Sequence, residues 1–170
     1  MGTPMPCPTI LHRQKLDDLN RAQTQQPIIQ TVARWEQQQQ TRMLEVTDNF
    51  YVFCPYASRF AFQVWIVPSD MQQSFSEMES KASDELSMLK RKYVSRLESQ
   101  LKNPAYNILL HQPPTGRQQA EEAKETKADD FAPWYFEIFP RVSRAAGFEL
   151  GTDVWVNPMS PETAAKRLRA

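Results

Sequence analysis

The chain has 170 residues, 41% of them apolar and 24% charged, with twenty basic residues against twenty acidic ones and a formal charge of zero. A length of this order fits one domain that buries roughly 70% of its unfolded surface, and the composition excludes a disordered chain. Without excess charge of either sign there is no field to hold nucleic acid or an anionic membrane, so neither is expected as a partner.

No apolar run reaches the length of about 18 residues that a membrane helix needs. Pro4, Pro6 and Pro8 interrupt the region where a signal peptide would need a continuous apolar core, so the expected location is the cytoplasm. The two cysteines, Cys7 and Cys54, form neither a disulfide framework nor a metal knuckle. Cys54, in the run YVFC, reads as a small buried residue.

Residues 1–27 read as a flexible, proline-rich and glutamine-rich arm with at most a short helix from Leu11 to Asn20. The domain proper is expected to span 28–170. Ile28, Ile29, Val32 and Trp35 recur at helical spacing, and Gln37 to Gln40 form the solvated end of that helix. Met43 to Val46 and Phe50 to Phe53 flank Asp48-Asn49, the pattern of a β-hairpin. After the bend PYASRF, Phe62 to Val67 predicts a third strand closed by Pro68.

Ser76 with Glu79 predicts a capping box opening the longest helix. Its stripe is Phe75, Met78, Ala82, Leu86, Leu89, Tyr93, Leu97 and Leu101, read as core, and Asn103-Pro104 stops it. A fourth strand, Tyr106 to Leu110, delivers His111 at its end. Gln112 to Asp130 is polar and reads as a mobile surface loop. Trp134 to Phe139 predicts a fifth strand, Thr152 to Val156 a sixth, and Ser160-Pro161-Glu162 the capped start of a last helix. The order describes an α+β fold: a mostly antiparallel sheet with a long helix and a C-terminal helix packed on one face.

The segments YVFCPYASRFAFQVWIVPSDMQQSF, NPAYNILLHQPP and WYFEIFPRVSRAAGFELGTDVWVNPMSPETAAKRLR resemble the C-terminal half of the galactose-1-phosphate uridylyltransferase family, which includes ADP-glucose phosphorylase-like members. The resemblance covers about residues 30–169 and implies a histidine-triad-like sheet, dimerisation, and nucleotidyl transfer from a nucleotide sugar to a hexose 1-phosphate. It also implies a histidine nucleophile in a His-Pro-His type motif of an N-terminal half. This chain has only His12 and His111 and no such pair. The resemblance therefore implies no catalytic residue here, and a domain that is not catalytic alone. A separately encoded N-terminal half would be its natural partner.

By the same resemblance His111 matches a histidine that in relatives helps bind zinc or iron. The matching relative strand, His-Trp-His-x-Glu-like, here runs from Pro133 to Glu137, so that only His111 and Glu137 remain as ligands and the metal site is degraded. The implied contacts to a nucleotide sugar or sugar phosphate are Tyr135, Arg144, Ala146, Phe148 and Glu149. Each also has a plain structural reading. His111 suits a hydrogen-bonded structural histidine, and Glu137 and Tyr135 can simply face a polar side of the sheet. Gly147 and Gly151 can serve a bend at positive φ. Arg141 and Arg144 can be solvated or salt-bridged surface donors, and Arg59 a donor that stabilises its bend or a partner for a phosphate or carboxylate. The alternative to a ligand-handling domain is a structural or dimerisation module that has lost ligand chemistry. A transferase using His111 itself as nucleophile is the least favoured reading.

Overall fold

The computed structural model describes residues 8–70, 75–112, 133–144 and 146–170. In chain order the elements are α1 (Pro8–Thr24), α2 (Ile28–Gln39), β1 (Met43–Val46), β2 (Phe50–Phe53), β3 (Val64–Pro68), a 3₁₀ turn (Phe75–Glu77), α3 (Ser80–Leu101), β4 (Tyr106–His111), β5 (Tyr135–Pro140), α4 (Gly147–Thr152) and α5 (Pro161–Arg169). The sheet order is β1-β2-β3-β5-β4, and every neighbouring pair is antiparallel. The α+β class expected from the sequence is what the structure has. The predicted loop from Gln112 to Asp130 lies, from Pro113 onward, outside the described residues.

Strand side chains alternate between two apolar layers, as the pleat requires. Phe50, Val52, Val64, Ile66, Phe136 and Ile138 point to one face, where α3 contributes Leu86, Leu89, Tyr93 and Leu97 and α5 contributes Ala164, Ala165 and Leu168. Every residue of the predicted α3 stripe lies in or against this layer. Phe53, Val67, Tyr51, Trp65 and Tyr135 point the other way, toward Ile29 and Ala33 of α2. Helices thus cover both faces, not one. The cause was readable in the runs FYVF and VWIVP, whose lack of alternation marks strands buried on both sides.

Three further expectations need correction. Helix α3 begins at Ser80, behind an extended Glu79 (φ −62°, ψ 150°) that makes no side-chain cap, because Ser76 is taken up in the 3₁₀ turn. Trp35 does not join the core: it is 47% exposed, and α2 buries Ile29, Gln30, Ala33 and Glu36 instead. The predicted short N-terminal helix is a 17-residue one, with Asp17 accepting from the Ile28 N–H at 2.8 Å and so capping α2 from a distance.

Arg42 ties three elements together. Its Nε donates to Glu36 Oε1 of α2 at 3.0 Å and its Nη1 to Glu162 Oε1 of α5 at 2.7 Å, while its guanidinium lies 5.1 Å from the rings of both Trp35 and Tyr56. Burial, the largest influence, pulls its pKa down, but hydrogen bonds and charge from both glutamates together outweigh it and leave the pKa raised. Glu162 is held below the usual carboxylate range chiefly by its bond from Arg42.

Burial lifts the Cys54 thiol from 9.0 to about 12 and the Tyr135 phenol from 10.0 to about 12. Both groups are neutral when protonated, and the fold favours that form. Their contribution is complete below the unfolded values and is lost as pH rises through the folded ones. Thermal unfolding followed by circular dichroism should therefore show a Tm that declines progressively between about pH 9 and pH 12, and Cys54→Ala should flatten the decline.

Candidate functional site

Two polar residues interrupt apolar strands on adjacent rows of the sheet. Gln63 stands just before β3, and Glu137 lies in β5 opposite Trp65. Glu137 is fully buried. A buried carboxylate is tolerated only when its oxygens are bonded, and here both are. Gln63 Nε2–H donates to Oε1 and His111 Nε2–H to Oε2, each at 2.5 Å. The Arg59 guanidinium is 3.9 Å from Oε1. Register fixes this meeting, since β4 pairs Leu109 with Glu137 and His111 with Tyr135, putting His111 on the face of the sheet that carries Glu137.

Arg13 of α1 bonds the other imidazole nitrogen, Nδ1. A guanidinium can only donate, so Nδ1 accepts and the proton sits on Nε2, directed at Glu137. The imidazole is neutral in this arrangement, and neither ring nitrogen has a lone pair left over. Tyr135 lies against His111 with ring centroids 4.5 Å apart, and Trp65 lies 4.7 Å from Tyr135 on the far side. The indole N–H of Trp65 is buried without a hydrogen-bond partner.

Gln63 also organises the PYASRF bend, because its carbonyl oxygen accepts from the N–H groups of Arg59 at 2.7 Å and Phe60 at 3.2 Å. Phe60 stacks on Phe139 at 4.2 Å, and Trp155 meets Phe60 edge-on at 5.1 Å. Asn157 Nδ2–H donates to the carbonyls of Ser58 and Phe60, so the turn read at Asn157-Pro158 is also a tether between two distant segments.

The segment AAGFELGT is not a bend followed by a sixth strand. Gly147–Thr152 form α4, which leaves through Asp153 at φ 56°, and 154–156 pair with no strand of the sheet. Neither glycine there is at positive φ, and a Cβ on either would meet nothing within 4 Å. Gly151→Ala should accordingly stabilise the protein, by about 0.4–1 kcal/mol, seen as a raised Tm. A positive-φ glycine would give a loss.

The residues expected to bind a ligand fall into two places. Tyr135 is in the sheet beside His111, whereas Arg144, Ala146 and Phe148 are exposed around α4 and Glu149 is half-buried there. Glu149 turns its carboxylate back onto the Ala146 N–H at 3.0 Å, and backbone hydrogen bonds at its own residue and at Ala146 hold its pKa low. Trp155, just beyond α4, links the two places: its ring lies 5.1 Å from Phe60 and 6.0 Å from the guanidinium of Arg59, which is 3.9 Å from Glu137. No three His, Cys, Asp or Glu residues converge anywhere among the described residues. With both nitrogens of His111 engaged, this donor set does not fit a bound zinc or iron. Sequence reasoning found His111, Glu137 and Tyr135 but missed Arg13 and the role of Gln63. The signal for Gln63 was present, a lone amide in the run FQVWIV. Nothing marked Arg13 within its polar helix.

The antiparallel sheet, its β1-β2-β3-β5-β4 order and the long helix between β3 and β4 define a uridylyltransferase-like fold. The chain matches no established protein-family profile. It is similar to an ADP-glucose phosphorylase of Arabidopsis thaliana, 28% identical over 128 residues, which cover 75% of this chain and 34% of that protein. A galt-like protein of Arabidopsis thaliana superposes with a TM-score of 0.80 at 25% identity, over 98% of this chain and 52% of the other. An ADP-glucose phosphorylase of Arabidopsis thaliana with bound ADP-glucose gives 0.79 at 24%, over 98% and 50%. A uridylyltransferase gives 0.79 at 19%, over 98% and 51%. The chain thus spans about half the length of these solved structures and about a third of the curated relative. It resembles nucleotide-sugar transfer proteins in sequence and fold. None of the described helices is long and apolar enough to cross a membrane.

Proposed function

We propose that this chain is a nucleotide-sugar or sugar-phosphate binding domain of the uridylyltransferase type, corresponding to the C-terminal half of such proteins and not catalytic alone. The observation that carries the reading is the state of His111. Attack on a phosphorus needs a free imidazole nitrogen, with the other nitrogen's proton held by a fixed acceptor. Glu137 supplies the acceptor, but Arg13 occupies the nitrogen that would attack. The similarity to an ADP-glucose phosphorylase supports a nucleotide-sugar ligand, approached by Tyr135 on the sheet and by Arg144, Ala146, Phe148 and Glu149 around α4. The domain spans 28–170 with an N-terminal arm before it, works in the cytoplasm, and acts as a homodimer or beside a separately encoded N-terminal half. Calorimetric titration with ADP-glucose, UDP-glucose and hexose 1-phosphates tests it. Saturable heat with one of them, and no transfer between them, is the expected outcome. Silence with all at millimolar concentration overturns the reading in favour of an interaction module, and transfer by the purified chain overturns the non-catalytic part.

A further inference from the structure

Arg59 stands between the sheet and the residues around α4, and its own bonding is incomplete. The backbone that carries it is fixed, because its N–H donates to Gln63 Oε1 at 2.7 Å and the neighbouring Phe60 is stacked on Phe139. Its guanidinium lies against two rings, Phe60 at 5.7 Å and Trp155 at 6.0 Å, contacts that hold an arginine without engaging its N–H groups. Its ion pair with Glu137 Oε1, at 3.9 Å, is too long to be a hydrogen bond. Among the described residues no acceptor hydrogen-bonds this guanidinium, although 38% of the side chain is exposed.

The charges around it do not balance. Both oxygens of Glu137 accept from neutral donors, the Gln63 amide and the His111 imidazole. Two guanidiniums flank this group, Arg13 on the far nitrogen of His111 and Arg59 beside the carboxylate. Neither forms an ion pair with another carboxylate among the described residues. Two positive charges against one negative leave an excess of one. All three act on Tyr135: after burial, the largest influence on its phenol, come Arg13, Glu137 and Arg59 in that order. Arg13 is engaged by His111, so the uncompensated charge and the free donors coincide at Arg59.

An uncompensated guanidinium with free donors, placed in advance by its neighbours, suits an oxyanion, because its fork can give two parallel N–H bonds to a phosphate. Prior placement by Phe60, Trp155 and Gln63 lowers the ordering cost of binding. We infer that Arg59 binds the phosphate of the ligand, at the junction of the sheet with the residues around α4. The inference rests on the functional reading only for the choice of phosphate as the anion. It assigns that role to a residue which the reading leaves out. A merely structural Arg59, there to offset Glu137, would govern stability and leave affinity alone.

Calorimetric titration of the full chain with ADP-glucose, UDP-glucose and inorganic pyrophosphate at millimolar concentration tests it. Arg59→Ala, with folding checked by circular dichroism, should bind each probe that the wild type binds about 10- to 100-fold more weakly, the loss expected for a hydrogen bond to a charged group. Arg59→Lys should recover part of this, since an ammonium restores the charge without the fork. Arg34→Gln removes the same charge from an exposed position on α2 and should bind as the wild type does. Unchanged affinity in Arg59→Ala overturns the inference and leaves the functional reading standing. Pyrophosphate binding that depends on Arg59, without binding of either nucleotide sugar, supports the inference and overturns the functional reading. Silence with all three probes overturns both, and an equal loss in Arg34→Gln reduces the effect to net charge and overturns the inference. Should Arg59→Ala fail to fold, modification of the wild type by phenylglyoxal, which attacks accessible guanidiniums, decides. Pyrophosphate should slow the modification of Arg59, read by mass spectrometry after digestion, and an unaltered rate overturns the proposal.

Discussion

Glu137→Ala should destabilise the protein by about 1–3 kcal/mol for each of the two donors it leaves without an acceptor, measured by urea unfolding at neutral pH. The loss is large because Glu137 is the common acceptor for His111 and Gln63, with the Arg59 guanidinium 3.9 Å away. Truncation strands the buried Gln63 amide and takes the acceptor from the imidazole N–H. An exchange of roles separates this explanation from a simple packing defect. Gln63→Glu combined with Glu137→Gln keeps one carboxylate and one amide in the same place, and it should recover most of what Glu137→Gln alone loses. If the double variant is no better than the single one, the hydrogen-bond account is wrong.

The second large effect belongs to Arg42. Arg42→Ala should cost about 3–5 kcal/mol, because Glu36, which is fully buried, loses its cation. One oxygen of Glu36 and one nitrogen of Arg42 already lack partners, so the cluster gives less than its charges suggest. Replacing both residues with methionine should therefore bring stability back to within about 1–2 kcal/mol of the wild type, or above it, since a buried pair is often no better than apolar side chains of its volume. Denaturant midpoints of the wild type, the single variant and the double variant give this comparison directly.

The contrast between what could and could not be read beforehand has physical causes. Strands bounded by Pro55 and Pro68, the hairpin around Asp48-Asn49 and the α3 stripe are short-range patterns, and they appear where spacing places them. Ser160, Pro161 and Glu162 form the expected start of α5, with Ser160 accepting from the Thr163 N–H at 3.2 Å. The failures are of two kinds. At Ser76 and at Thr152 to Val156 a local signal existed, but tertiary contacts decided otherwise. Phe75 and Met78 pack against the core from the 3₁₀ turn and its exit, and Trp155 is drawn to Phe60 rather than into the sheet. The contact between Arg13 and His111 spans 98 positions in sequence and has no local signal at all. His111, Glu137 and Tyr135 were recognisable because of family resemblance, whereas the network joining them belongs to the folded chain.

The reach of α1 has a practical side. Producing the protein from Ile28 onward would look harmless by composition, yet it would strip the Asp17 carboxylate from the start of α2 and uncover the imidazole of His111. Such a shortened protein would be expected to unfold more easily, and chemical labelling of that ring by diethyl pyrocarbonate would become faster. Comparing reagent uptake by the long and short versions would show directly how far an arginine near one terminus governs the reactivity of a histidine almost a hundred residues away.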